Sequence, residues 1–112
     1  VEVSTRVESG ITVVSVAGEI DLYSSPRMRE AIVSSITRKQ PHVVVDLSGV
    51  SYMDSSGIAT LVEALQLARK HEGRLLLAGI TPRVREVFEV ARLESVFELF
   101  ADPAAALHAV RP

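Results

Sequence analysis

A chain of 112 residues, 47% hydrophobic and 23% charged, is long enough to bury one sizeable core and too short for two ordinary ones, so a single domain over 1–112 is expected. Twelve basic against fourteen acidic residues leave a net charge of −2, without the positive surplus with which nucleic-acid binders neutralise phosphates. The lack of cysteine excludes a disulfide framework, cysteinyl metal sites and thiol catalysis. No apolar run has the length of a bilayer span, and Val1-Glu2-Val3-Ser4-Thr5-Arg6 has no basic-then-apolar leader pattern, so a cytoplasmic location without membrane insertion is expected.

Glu2 to Glu8 alternates loosely and carries polar residues, as an edge strand does. Ser9-Gly10 is a turn signal, and Ile11 to Ala17, rich in β-branched residues, predicts a second strand that pairs with the first as a hairpin and ends at Gly18. Met28, Ala31, Ile32 and Ile36 fall at helical spacing. Val43 to Leu47 is a short apolar run of the kind found in parallel sheets covered on both faces. Helical spacing returns at Ile58, Leu61, Val62, Leu65 and Ala68, gives way to a strand at Arg74 to Ala78, and returns at Val84, Val87, Phe88 and Ala91. Val96 to Leu99 is a weaker strand signal, followed by a last helix. Each stripe reads first as core. The order β-β-α-β-α-β-α-β-α makes the fold class α/β: a mixed, mainly parallel sheet with an N-terminal hairpin and about four helices, joined by right-handed crossovers.

The helix starts separate one segment from the rest. Ser25-Pro26, Thr81-Pro82 and Asp102-Pro103 each pair a capping oxygen with a proline whose missing N–H costs nothing in the first turn. The helix after Val43 to Leu47 begins instead with Tyr52-Met53-Asp54-Ser55-Ser56-Gly57, where a glycine inside the helix would cost about 1 kcal/mol relative to alanine. Local rules are broken where function or strain is found.

Four readings of that segment compete on the residues alone. It is a polar loop and N-cap, with Gly57 allowing close packing under the sheet. It is a nucleophilic serine, but Ser51, Ser55 and Ser56 all lack the flanking glycines of Gly-x-Ser-x-Gly, and His42, His71 and His108 lie at a strand entry, a helix end and the last helix. It is a phosphate site at a helix N-terminus, but neither Gly-x-x-x-x-Gly-Lys-Ser/Thr nor Gly-x-Gly-x-x-Gly is present. Or one of its serines is phosphorylated by a partner, which would place about −1.5 to −2 charges beside Asp54 and alter docking without unfolding the chain.

Asp46-Leu47-Ser48-Gly49-Val50-Ser51-Tyr52-Met53-Asp54-Ser55-Ser56-Gly57-Ile58 resembles the signature of the STAS domain family, specifically the bacterial anti-sigma factor antagonists. Gly18-Glu19-Ile20-Asp21 and Leu77-Ala78-Gly79-Ile80-Thr81-Pro82-Arg83-Val84 resemble two further segments of that family, so the likeness runs through nearly the whole chain. The resemblance implies a regulatory protein with no catalysis, metal or cofactor of its own. Its unphosphorylated form would bind an anti-sigma factor that is also a serine kinase and so release the sigma factor; a serine phosphatase would reverse the modification. By the family pattern the phosphoacceptor is Ser55, with Ser56 as the competing candidate. Asp21, Asp54, Ser55, Ser56 and Gly57 would form the partner-binding surface, Asp54 also reading as a plain N-cap and Gly57 permitting close approach of the partner's backbone. Related domains serve as accessory subunits of transporters and stress-sensing complexes, which is the alternative role; a small hydrolase is a third and weaker one.

Overall fold

The computed structural model describes residues 1–36 and 42–111. Nine elements follow in chain order: β1 (Glu2–Glu8), β2 (Ile11–Ile20), α1 (Ser25–Ile36), β3 (Val43–Met53), α2 (Ser55–Lys70), β4 (Leu75–Ala78), α3 (Pro82–Val90), β5 (Glu98–Phe100) and α4 (Pro103–Val110). The sheet order is β1-β2-β3-β4-β5. Only β1 and β2 are antiparallel; β2, β3, β4 and β5 pair in parallel. This is the mixed α/β architecture expected from the sequence. The hairpin closes through Ser9 and Gly10, both at positive φ (53° and 77°), the backbone that suits the right-handed twist of a two-residue hairpin.

Alternation between two covered faces explains the consecutive apolar residues Val43 to Val45 of β3 and Leu75 to Ala78 of β4. Val43, Val45 and Leu47 of β3, with Leu75 and Leu77 of β4, face a large cluster built with Met28, Ile32 and Ile36 of α1, Leu61 and Leu65 of α2, and Phe88 of α3. Val44, Leu76 and Ala78 face the other way, against Ala106 and Leu107 of α4. Both faces are therefore covered, as parallel strands require. Phe88 and Phe97 meet edge to face at 5.4 Å within the larger cluster.

Several boundaries differ from expectation, each for a local reason. β2 does not end at Gly18 but runs to Ile20, because Gly18 at φ 106° takes a backbone that few other residues adopt and so carries the strand through a register shift. β3 continues past Leu47 to Met53, held by pairing of Gly49, Val50, Tyr52 and Met53 with β2. Tyr52 and Met53 thus close a strand and do not open a helix. β5 covers Glu98–Phe100, shifted from Val96 to Leu99, and Arg74 lies just before β4. Thr81 and Asp102 cap α3 and α4, accepting from Val84 N (3.3 Å) and Ala105 N (2.8 Å). Ser25, by contrast, is a buried first residue of α1, and its N–H is bonded to the carbonyl of Asp21 (2.8 Å).

Candidate functional site

Because β2 and β3 are parallel neighbours, their C-terminal ends emerge side by side. Ile20 pairs with Met53, and the Asp54 N–H donates to the Ile20 carbonyl (3.1 Å), so the Asp21 loop and the start of α2 are tied together although more than thirty residues separate them in sequence. Parallel pairing is what brings the two aspartates to one edge.

Asp54 is an N-cap in extended conformation, φ −103° and ψ −171°. Its carboxylate accepts from the Ser56 N–H (2.9 Å) and from the Ser56 hydroxyl (2.5 Å). Its carbonyl accepts from Gly57 N (3.1 Å) and Ile58 N (3.3 Å), completing the first turn. Ser56 is accordingly half-buried with its hydroxyl committed, whereas Ser55 is exposed and its hydroxyl makes no hydrogen bond among the described residues. The two serines therefore differ in chemistry that the sequence leaves equal.

Gly57 faces inward. A Cβ there would sit 2.5 Å from Met53 Cγ and 2.9 Å from Ile20 Cγ2, both in buried side chains. The close approach that demands glycine is the chain's own, between the first turn of α2 and the ends of β2 and β3.

Asp21 organises its own loop. Its carboxylate accepts from Tyr23 N (2.9 Å), Ser24 N (3.0 Å) and the Ser24 hydroxyl (3.1 Å). The Ser24 N–H and hydroxyl, followed by the Tyr23 N–H, hold the Asp21 carboxyl below the ordinary carboxylate value, because they stabilise its charged form. With the loop pinned in this way, Leu22 and Tyr23 project outward at 70% and 92% exposure. Neither was a candidate on sequence grounds. Their signal was two adjacent large apolar residues that belong to no helical or strand period.

On the other side of Ser55 lies an apolar groove of about 440 Å³ between the start of α2 and α3, lined by Tyr52, Met53, Ser55, Ile58, Val87 and Val90, with Arg83 and Glu86 as its charged residues. Val90 is 86% exposed, and the Arg83 guanidinium lies 5.9 Å from the centroid of the Tyr52 ring. The histidines lie elsewhere: Nδ1 of His42 accepts from Arg74 N (3.1 Å), His71 is the C-cap of α2, and His108 is in the last turn of α4. Among the described residues no helix is long and apolar enough to cross a membrane, and no group of three or more histidines and carboxylates is arranged to hold a metal ion.

Comparison with known proteins matches this arrangement to a family. The STAS domain family profile matches residues 2–106. An anti-sigma-B factor antagonist from Listeria monocytogenes is 36% identical over 84 residues, covering 75% of this chain and 74% of that protein. One from Bacillus subtilis is 33% identical over 88 residues, covering 79% and 80% respectively. The crystal structure of an anti-sigma factor antagonist from Mycobacterium paratuberculosis superposes with a TM-score of 0.89 at 30% identity, covering 99% of this chain and 94% of that one. The sequence profile and the fold agree over nearly the full length and the relatives over about three quarters of it: the chain belongs to the STAS domain family.

Proposed function

We propose that this chain is an anti-sigma factor antagonist: it binds an anti-sigma factor through the surface around Ser55, so that the sigma factor is released, and it is switched off by phosphorylation of Ser55. Support for the antagonist role comes from the relatives in Listeria and Bacillus named for that activity, with which the chain shares about a third of its residues over most of their length. The observation that carries the site is the contrast between the serines: Ser55 is exposed and uncommitted, while Ser56 donates to its own N-cap. In the transfer, Ser55 Oγ takes the γ-phosphoryl group of an ATP held by the anti-sigma factor kinase, ADP leaves, and the hydroxyl proton is released. A serine phosphatase restores the hydroxyl by hydrolysis. The work belongs in the cytoplasm, where sigma factors meet polymerase.

The physical consequence of the modification is local. A phosphoserine adds about −1.5 to −2 charges, comparable with the whole resting balance of −2, at an exposed position next to Asp54. A partner surface shaped for a neutral hydroxyl would then face a dense negative patch, and uncompensated charge at an interface costs several kcal/mol. Tyr23 supplies an exposed aromatic anchor of the type that dominates binding energy, with the apolar Leu22 beside it.

Incubation with the cognate anti-sigma factor kinase and ATP, read by intact mass, tests both parts. Wild type and Ser56→Ala should gain one phosphate; Ser55→Ala should gain none while still binding, and Ser55→Asp should bind weakly. Phosphate at normal yield on Ser55→Ala would overturn the acceptor assignment. A wild-type chain left unmodified by a kinase that binds it would overturn the switch.

A further inference from the structure

The apolar groove beside Ser55 holds a cation, Arg83, that pairs with no carboxylate among the described residues. Arg29 is paired with Glu63, and Arg74 with Glu98, each through more than one hydrogen bond. Arg83 makes no hydrogen bond or ion pair among the described residues; its recorded contact is the face of Tyr52. Its placement is fixed by the fold. The Thr81 hydroxyl that caps α3 also donates to the Val50 carbonyl (3.4 Å), which ties the first turn of α3 to the last residues of β3, where Tyr52 lies and beyond which Ser55 opens α2. Arg83 and Ser55 line the same groove.

We propose that Arg83 is an intramolecular receptor for a phosphate on Ser55. With Ser55 unmodified, the guanidinium rests on the Tyr52 ring. With Ser55 phosphorylated, it leaves the ring for the phosphate oxygens, which accept two parallel charge-assisted hydrogen bonds from an arginine fork, a stronger interaction than an exposed cation–π contact. The arginine stem then lies across the groove bounded by Met53, Ile58 and Val87. Modification would thus remove two docking features together, the neutral hydroxyl and the open apolar groove. Glu86, on the same groove, competes for the guanidinium, whereas Asp54, whose carboxylate is engaged by Ser56, adds negative charge beside the phosphate and favours the move. The idea rests on Ser55 being the acceptor, but its test does not depend on any kinase.

Phosphoserine is installed at position 55 during translation, and the second ionisation of the phosphate is followed by ³¹P NMR. A nearby guanidinium favours the dianion, so the phosphate pKa in the wild-type background should lie about half a unit to one unit below that in Arg83→Gln. Arg83→Lys, which keeps charge without the fork, should recover part of the shift. Arg85→Gln, an exposed cation of the same helix that does not line the groove, should leave it unchanged. The Tyr52 ring resonances should move on phosphorylation in wild type and not in Arg83→Gln. Equal phosphate pKa values in wild type and Arg83→Gln would overturn the proposal, as would an equal effect of Arg85→Gln, which would reduce it to diffuse charge. If the kinase experiment instead places the phosphate elsewhere, the acceptor reading fails while this titration still reports whether Arg83 meets a phosphate at position 55.

Discussion

Gly57→Ala sets helix propensity against packing at one position. Propensity alone predicts stabilisation by up to about 1 kcal/mol, since alanine is the better helix former. The geometry predicts the reverse. The new methyl would be placed 2.5 Å from Met53 Cγ, 3.0 Å from Met53 Sδ and 2.9 Å from Ile20 Cγ2, in side chains that are 1% and 0% exposed. Overpacking of that kind costs about 1–3 kcal/mol, so the net effect is a loss of about 1 kcal/mol, or roughly 4 °C in Tm for a chain of this size. Met53 is flexible, and it is the partner to remove. Met53→Ala alone should destabilise by about 2–4 kcal/mol. In that background Gly57→Ala should become neutral or stabilising, held back only by Ile20. The cycle is measured by urea unfolding of the four proteins, with an expected coupling of about 1–3 kcal/mol. If Gly57→Ala stabilises the wild-type background by the full propensity gain, or if the two substitutions are additive, the close approach is not what selects glycine.

Asp54→Ala should cost about 1 kcal/mol in urea unfolding by removing the cap on Ser56, and Asp54→Asn clearly less, since the amide oxygen still accepts. The folded-state carboxyls of Glu63 and Glu98 are lowered chiefly by hydrogen bonds from Arg29 and Arg74, and that of Asp21 by Ser24. Their stabilisation is therefore complete above the ordinary carboxylate range near about 4 and is lost as pH falls through the lowered values; Glu98→Gln should flatten this acid limb in a series of unfolding curves between about pH 2 and 6. On the proposed function, Tyr23→Ala should weaken anti-sigma factor binding by about 1–3 kcal/mol in titration calorimetry and Leu22→Ala by less, with unfolding midpoints unchanged because both side chains are exposed.

The element order and the sheet direction were legible because hydrophobic period is a local property: Met28, Ile32 and Ile36 are read without knowing what they touch. Strand length in the middle of the sheet was not. The strand signal stops at Leu47, and Tyr52-Met53 reads as a helix start, because what holds Gly49 to Met53 in β3 is pairing with Ala17 to Ile20, a contact across more than thirty positions. The cap at Ser25 was misplaced for the same reason, since a Ser-Pro pair looks sufficient until Asp21 is seen ordering the loop before it. At the site, adjacent serines are equivalent in sequence and are separated only by which hydroxyl the Asp54 carboxylate reaches. The exposure of Leu22 and Tyr23, and the place of Arg83 beside Ser55, have no sequence signature, because exposure has no period.

The difference between the serines also constrains how a phosphate can act. Asp54 is bonded to Ile20 behind it and to Ser56, Gly57 and Ile58 ahead of it, and Gly57 is wedged against Met53 and Ile20, so the turn carrying Ser55 has little room to rearrange. A charge at the start of α2 meets the positive end of the helix dipole and is stabilised there by about 0.3–1 kcal/mol. Repulsion from Asp54 offsets part of that gain, and the backbone is left nearly indifferent to phosphorylation. On the proposed function, any large effect must then be exerted outward, on a partner docked at Leu22, Tyr23 and the groove, and must be carried by side chains free to move. Arg83 meets that condition, whereas Ser56, Asp54 and Asp21 are all held by hydrogen bonds of their own.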